Sequence, residues 1–142
     1  MAETEPTRIQ DLVKFETDAR FCREVKEIDA TDVAAGTALA CGDLLQAGSN
    51  TAQYKLLAGT SPTAVLLGVY GPASSYGSEL QTAYTMPDPA VDLKCLVLNQ
   101  GPAIIDHAYV DYQSQTEATC NAALAVLDIL VRTGPTYTKQ EY

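Results

Sequence analysis

The sequence predicts a mainly β domain with one late α-helix behind an extended N-terminal arm. Three observations predict it. Short apolar segments separated by Gly and Pro turns fill the middle of the chain. Ala and Leu recur at helical spacing only once, near the C-terminus. The first stretch, to about Glu27, mixes charges with sparse hydrophobes. At 142 residues with 46% apolar content, the chain suits one domain with its own core.

In residues 1–27, Ile9, Leu12 and Val13 are spaced for a short helical turn, but no sustained period follows. Phe15, Phe21 and Val25 add little to these. Ordering a residue costs roughly 1–2 kcal/mol, more than so few hydrophobes return by burial. The segment is therefore expected to stay extended and largely disordered until it meets a partner, leaving a globular domain over residues 28–142.

From Arg23 the texture changes. Val25, Ile28 and Val33 lead into Ala35-Gly36-Thr37-Ala38-Leu39 and Cys41-Gly42-Asp43-Leu44-Leu45, two Gly-centred turns with short strand-like flanks. After the turn cluster Ala47-Gly48-Ser49-Asn50, Gln53-Tyr54-Lys55-Leu56-Leu57 alternates as a strand. Ala64-Val65-Leu66-Leu67-Gly68-Val69-Tyr70 is continuously apolar, the pattern of a strand covered on both faces. Gly71 to Ser78 is a loop by composition. Tyr70, Tyr76 and Tyr84 surround it, where amphipathic rings suit contacts between subunits. Asp92 to Leu98 is the next strand, and Ala103-Ile104-Ile105-Asp106-His107 is a short extended piece.

The helix begins at Ser114-Gln115-Thr116-Glu117, which has the spacing of a capping box. Ala118, Ala122, Ala125 and Val126 then recur at helical spacing, widened by Leu124 and Leu127. Ile129-Leu130-Val131 reads as a terminal strand, stopped by Gly134-Pro135.

Nine basic against eighteen acidic residues give a net charge of −9, and no basic cluster is present to bind phosphate backbones or an anionic membrane. The N-terminus lacks the basic and apolar regions of a secretory signal. The stretch Ala122 to Val131 holds Asp128 and is too short to cross a bilayer. Cys22, Cys41, Cys95 and Cys120 are far apart and are expected to be free thiols. His107 is the only histidine; its neighbour Asp106 is expected to point elsewhere on an extended backbone, and no further His or Cys lies close by as a co-ligand. There is no G-x-S-x-G, P-loop or dinucleotide fingerprint. The expectation is a protein that is not an enzyme, with no cofactor, no metal, no nucleic acid and no membrane among its partners.

One resemblance runs through the order of segments. Val33 to Leu39 and Gly42-Asp43-Leu44 are followed by Ala64 to Val69. Then come Leu96-Val97-Leu98-Asn99-Gln100-Gly101-Pro102-Ala103-Ile104-Ile105, the Ala-rich helix, and Leu127-Asp128-Ile129-Leu130-Val131-Arg132. This resembles the head decoration (capsid-stabilising) proteins of lambda-like phages, over roughly residues 30 to 132. The chain departs from that family at Gln100, where a basic residue is usual, and at Asp128, where Gly commonly precedes the last strand. Its N-terminal segment is also longer.

The resemblance implies a compact small β-barrel-like (β-tulip) domain. It also implies a homotrimer seated on the outer surface of an expanded phage head at three-fold and quasi-three-fold sites, assembled in the host cytoplasm. The arm would engage the major capsid protein through Leu12, Val13, Phe15, Phe21 and Val25, by adding a strand to a sheet edge. The loop tyrosines would serve trimer contacts. A second resemblance is to the Gly-Asp turns of biotinyl or lipoyl carrier domains, with Lys55 as the lysine. A receptor-binding virion module is the third reading.

Overall fold

A computed structural model of the chain describes residues 7–74 and 79–133. The elements begin with α1 (Ile9–Leu12), β1 (Val13–Glu16), α2 (Ala19–Cys22), β2 (Arg23–Ile28) and β3 (Ala38–Ala40). β4 (Leu44–Ala47), β5 (Gln53–Leu56), β6 (Ala64–Pro72), β7 (Ala83–Thr85), β8 (Leu93–Leu98) and β9 (Ala103–Asp106) follow. A 3-10 turn (His107–Tyr109), α3 (Glu117–Val126) and β10 (Ile129–Arg132) complete them. The fold is mainly β, as predicted. Strands β2, β5, β4, β6 and β8 close a barrel in that order, β1–β9–β10 form a three-stranded sheet, and β3 pairs with β7.

Two hydrophobic cores result. The barrel interior holds Ile28, Val33, Leu39, Leu45, Ala64, Leu66, Val69, Met86, Leu93, Cys95 and Val97. The second core lies between the outer wall of the barrel and the inner face of the β1–β9–β10 sheet with α3. Leu44, Val65, Leu67 and Leu98 come from the wall, and Ala103, Ile105, Ile129, Cys120 and Leu124 from the opposite side. Strand β6 feeds both. Ala64 and Leu66 point into the barrel, and Val65 and Leu67 point out into the second core. A register shift against β8 between Leu66 and Gly68 returns Val69 to the inside. The continuous apolar run in the sequence is thus covered on both faces.

The expected division after residue 27 is corrected by the structure. Strand β2 is a barrel strand, paired with β8 over six residues from Arg23↔Leu98 to Ile28↔Leu93. Strand β1 runs antiparallel to β9, with Val13 opposite Ile105 and Phe15 opposite Ile104. Leu12 and Cys22 are fully buried in the second core. An ion pair between the Arg23 guanidinium and the Glu16 carboxylate ties β1 to β2. The segment has too few hydrophobes for a core of its own, but its strands borrow partners far along the chain. That count of hydrophobes within the segment could not register those partners.

The helix differs in detail from its prediction. Thr116 is the N-cap and makes no side-chain cap bond, so the expected capping box is absent. Gln113 and Ser114 both adopt positive φ, which turns Ser114 away from the helix end, and the Glu117 carboxylate pairs instead with His107. The buried face is Cys120 and Leu124. Ala118, Ala122, Ala125 and Val126, expected to face the core, are exposed. Both sets have helical spacing, and only the position of the sheet decides between them.

Two backbone constraints join the layers. Gly42 has φ +105, and a Cβ there would sit 1.9 Å from the Tyr109 carbonyl oxygen, so the turn admits only Gly. Asp128 follows the helix with φ +68 and donates its N–H to the Ala125 carbonyl. Asp tolerates this left-handed position better than most residues.

Two outcomes follow from this packing. Leu12→Ala should cost about 2–5 kcal/mol in urea unfolding, as for a core leucine. A loss under about 1 kcal/mol would return the segment to the status of an independent arm. Asp128→Gly should instead raise stability by roughly 0.5–1 kcal/mol by relieving the left-handed backbone, read from the same unfolding midpoint.

Candidate functional site

The residues expected to meet a partner divide sharply by burial. Leu12 is buried and Val13 is half-buried, so neither is available. Phe15, Phe21 and Val25 are 51%, 54% and 55% exposed, large hydrophobics left in water by an otherwise well-buried chain. Phe21 sits on α2, whose Asp18 N-cap accepts the Arg20 N–H. The Gln100 side-chain amide donates to the Phe21 carbonyl at 2.7 Å, which anchors this turn to the β8–β9 connection. Val25 stands opposite Leu96 on the outer wall of the barrel.

Phe15 belongs to a different surface. In the three-stranded sheet it is directly opposite Ile104, which is directly opposite Leu130. The three form one apolar row on the outward face, with Leu130 43% exposed. Ile104 and Leu130 were not singled out from sequence. Their alternation with buried neighbours is visible in Ala103–Asp106 and Ile129–Arg132, but which side faces a core is a property of the assembled sheet.

The loop tyrosines do not form a common surface among the described residues. Tyr70 is half-buried at the end of β6, and Tyr84 packs partly against the barrel core. Tyr76 lies outside the described residues. All four cysteines are unpaired and buried, and burial pushes the Cys41 and Cys95 thiols up to about 12.

A polar cleft forms where the β3–β4 turn meets the segment after β9. It is lined in part by Cys41, Asp43, Tyr109, Asp111, Tyr112 and Glu117. The His107 Nε2 lies 2.7 Å from Glu117 Oε1, and the Tyr112 hydroxyl donates to Asn121 at 2.6 Å. Asp43 is almost fully buried, and its carboxylate accepts one hydrogen bond from the Ala40 N–H at 2.9 Å. Burial raises its pKa to about 7, and the nearby Asp111 carboxylate adds to the rise while the Ala40 bond opposes it. The protonated thiol of Cys41 and the raised phenol of Tyr112 leave this cleft without an activated nucleophile among its described residues.

Asp29 shows the opposite outcome of burial. Burial alone would raise its pKa, but bonds from the Thr31 N–H, the Asn50 N–H and the Asn50 side-chain amide hold it below the usual range. It is a loop anchor, with Asp32 gripping Ser49 beside it. Among the described residues no group of three or more His, Cys, Asp or Glu side chains is arranged to hold a metal ion. Lys55 lies within β5 opposite Gln46, inside a strand pairing and not at a hairpin tip.

Comparison of the chain with protein-family models, with curated proteins and with solved structures finds no match.

The buried carboxyl makes a pH prediction. In the fold Asp43 holds its proton up to about 7, against 3.8 for an ordinary aspartate. Between those values the folded chain binds more protons than the unfolded one, so Asp43 makes stability fall as pH rises through this window. The loss is on the order of 2–4 kcal/mol. Asp43→Asn keeps an acceptor for the Ala40 N–H and cannot ionise. It should melt higher than the parent at pH 8, with the advantage vanishing towards pH 4. Equal melting temperatures at pH 8 would contradict the buried-carboxyl assignment.

Proposed function

We propose that this chain is a capsid decoration protein of a tailed phage, a non-enzymatic clamp. It binds the major capsid protein on the outside of an expanded head as a homotrimer, at three-fold and quasi-three-fold positions. The observation that carries the proposal is the pair Phe21 and Val25. Each is more than half exposed, and both are held on a hydrogen-bonded scaffold at the start of the chain. Exposed side chains of this size on a pre-formed backbone gain on burial against a partner at a reduced ordering cost.

The segments that resemble lambda-like decoration proteins also make structural sense as a unit. Strand β8, the turn at Gly101, β9, α3 and β10 follow one another, with β10 returning parallel to β9. The left-handed backbone at Asp128 gives a physical reason for Gly at that position in the family. The carrier reading is disfavoured by Lys55, since a modified lysine needs an exposed tip. The absence of any basic cluster speaks for a protein surface as the partner in preference to nucleic acid.

The physics of a clamp follows from number. Three copies of a weak apolar contact on one ring engage the shell together, so each raises the effective concentration of the next. Because the N-terminal segment is part of the fold, point substitutions and not truncation test it. Phe21→Ser with Val25→Ser should leave the circular dichroism spectrum and melting temperature near those of the parent. Co-sedimentation with expanded shells should fall at least about tenfold, since two apolar burials are lost at each site. Full occupancy by the double variant at parental affinity would remove these residues from the shell contact and with them the support for the proposal.

A further inference from the structure

The cleft beside the β3–β4 turn takes no part in the shell contact assigned to Phe21 and Val25. It holds about 530 Å³, within the range of small-molecule pockets. Asp43 and Asp111 are register partners across it in a parallel bridge. The Asp111 N–H donates to the Gly42 carbonyl at 2.9 Å, and the Leu44 N–H donates to the Asp111 carbonyl at 3.2 Å. Both side chains line the cleft. Asp43 is only 5% exposed, yet its Oδ1 accepts no hydrogen bond from any described residue, the Ala40 N–H being bonded to Oδ2. Asp111 is exposed, and the Gln113 N–H occupies only its Oδ1. No described Lys, Arg or His makes an ion pair with either carboxylate.

The rest of the lining sorts into spent and available groups. Glu117 is held by His107, and the Tyr112 hydroxyl is bonded to Asn121. Beyond the neutral thiol of Cys41, Asp11 and Arg23 have partners of their own in Arg8 and Glu16. What remains is the aspartate pair, the Ser114 hydroxyl, the Gln115 amide and the Tyr109 ring. Tyr109 is 40% exposed, and its backbone is fixed because its carbonyl packs against Gly42. A flat apolar ring thus stands beside a set of hydrogen-bonding groups held by the junction of the two layers.

The aspartate pair selects the ligand. Two neighbouring carboxylates, one of them buried, do not readily ionise together. Asp43 keeps its proton up to about 7, opposed by the charge of Asp111. The pair therefore presents one donor and one acceptor side by side. An ammonium has only donors, and a phosphate or carboxylate has only acceptors. A hydroxyl is both, and so matches the pair. A pyranose carries several hydroxyls around its edge and an apolar C–H face that suits an aromatic ring. We propose that this cleft is a binding site for a neutral saccharide, with Asp43 and Asp111 holding its hydroxyls and the Tyr109 ring covering its apolar face. Ser114 and Gln115 supply further hydroxyl contacts at the edge of the sugar.

Titration of the full chain with glucose, mannose, galactose, N-acetylglucosamine, maltose and cellobiose, followed by saturation-transfer NMR, tests the site. At pH 6 at least one of these sugars should bind saturably. Its affinity should fall about tenfold by pH 8, as Asp43 loses the proton it donates. Asp43→Asn keeps a donor that cannot ionise, so its affinity should be the same at both pH values and exceed that of the parent at pH 8. His107→Gln should leave the pH profile in place. Asp111→Ala and Tyr109→Ala should each weaken binding at least about tenfold at pH 6, with circular dichroism and melting curves checking their folds. If one of them misfolds, the other carries the test. Absence of saturable binding by every sugar at pH 6 would overturn the proposal. So would parental affinity in the folded Asp111 or Tyr109 variant, or a pH dependence that survives in Asp43→Asn. Butylamine binding in the same cleft that strengthens with rising pH, in place of sugar binding, would make it an ammonium site and equally overturn the proposal.

Discussion

Strand β6 is a wall with a core on each side, and most of the fold depends on that double burial. Ala64 and Leu66 close the barrel from within, while Val65 and Leu67 give the β1–β9–β10 sheet and α3 something to rest on. A sheet of three short strands with one ten-residue helix would bury little by itself. Placed against the barrel wall it completes a second core, and that core is what draws Leu12 and Cys22 from the start of the chain and Ile129 from near its end. Gly42 makes the junction possible. Its N–H is bonded to the Leu66 carbonyl and its own carbonyl to the Asp111 N–H, with the Tyr109 carbonyl filling the space of a side chain. Any side chain there would push the two layers apart.

The two buried aspartates show how the number of hydrogen bonds decides the state of a charge. Asp29 receives three bonds from Thr31 and Asn50, stays ionised, and fixes the turns on either side of β3 and β4. Asp43 receives one, sits near Asp111, and titrates near neutrality at the junction of the two layers. Its position at the junction ties stability to pH through packing and not through a surface charge.

What the packing leaves outside is the part of the molecule that speaks to function. A chain with two full cores still exposes Phe15, Phe21, Val25, Leu130 and Val126. Scattered singly these would mean little. Here they fall on three distinct faces: the α2–β2 start of the barrel wall, the sheet row and the outer side of α3. These exposed apolar faces are what the proposal of a component of a larger assembly rests on.

The mainly β class, the turn positions, the double-sided strand from Ala64 to Tyr70, the helix near the C-terminus and the terminal strand were legible in the sequence. Each rests on local chemistry: Gly and Pro punctuation, alternation and apolar runs. The barrel closure, the recruitment of β2 into it and of β1 into the three-stranded sheet, and the outward turn of Ala118, Ala122, Ala125 and Val126 were not. Hydrophobic spacing reports that a segment has a face, and in α3 it gave one wide stripe of which only Leu124, joined by Cys120, is buried. Which face is buried depends on Ile105 and Ile129, brought beside Leu124 only by the return of β10 along β9. Likewise Phe15 and Leu12 read alike in sequence, three residues apart in one segment. Leu12 ends α1 and is buried in the second core, whereas Phe15 stands opposite Ile104 on the outward face of the sheet, because pairing with β9 sets the register of β1 and register decides the side of a residue along a strand.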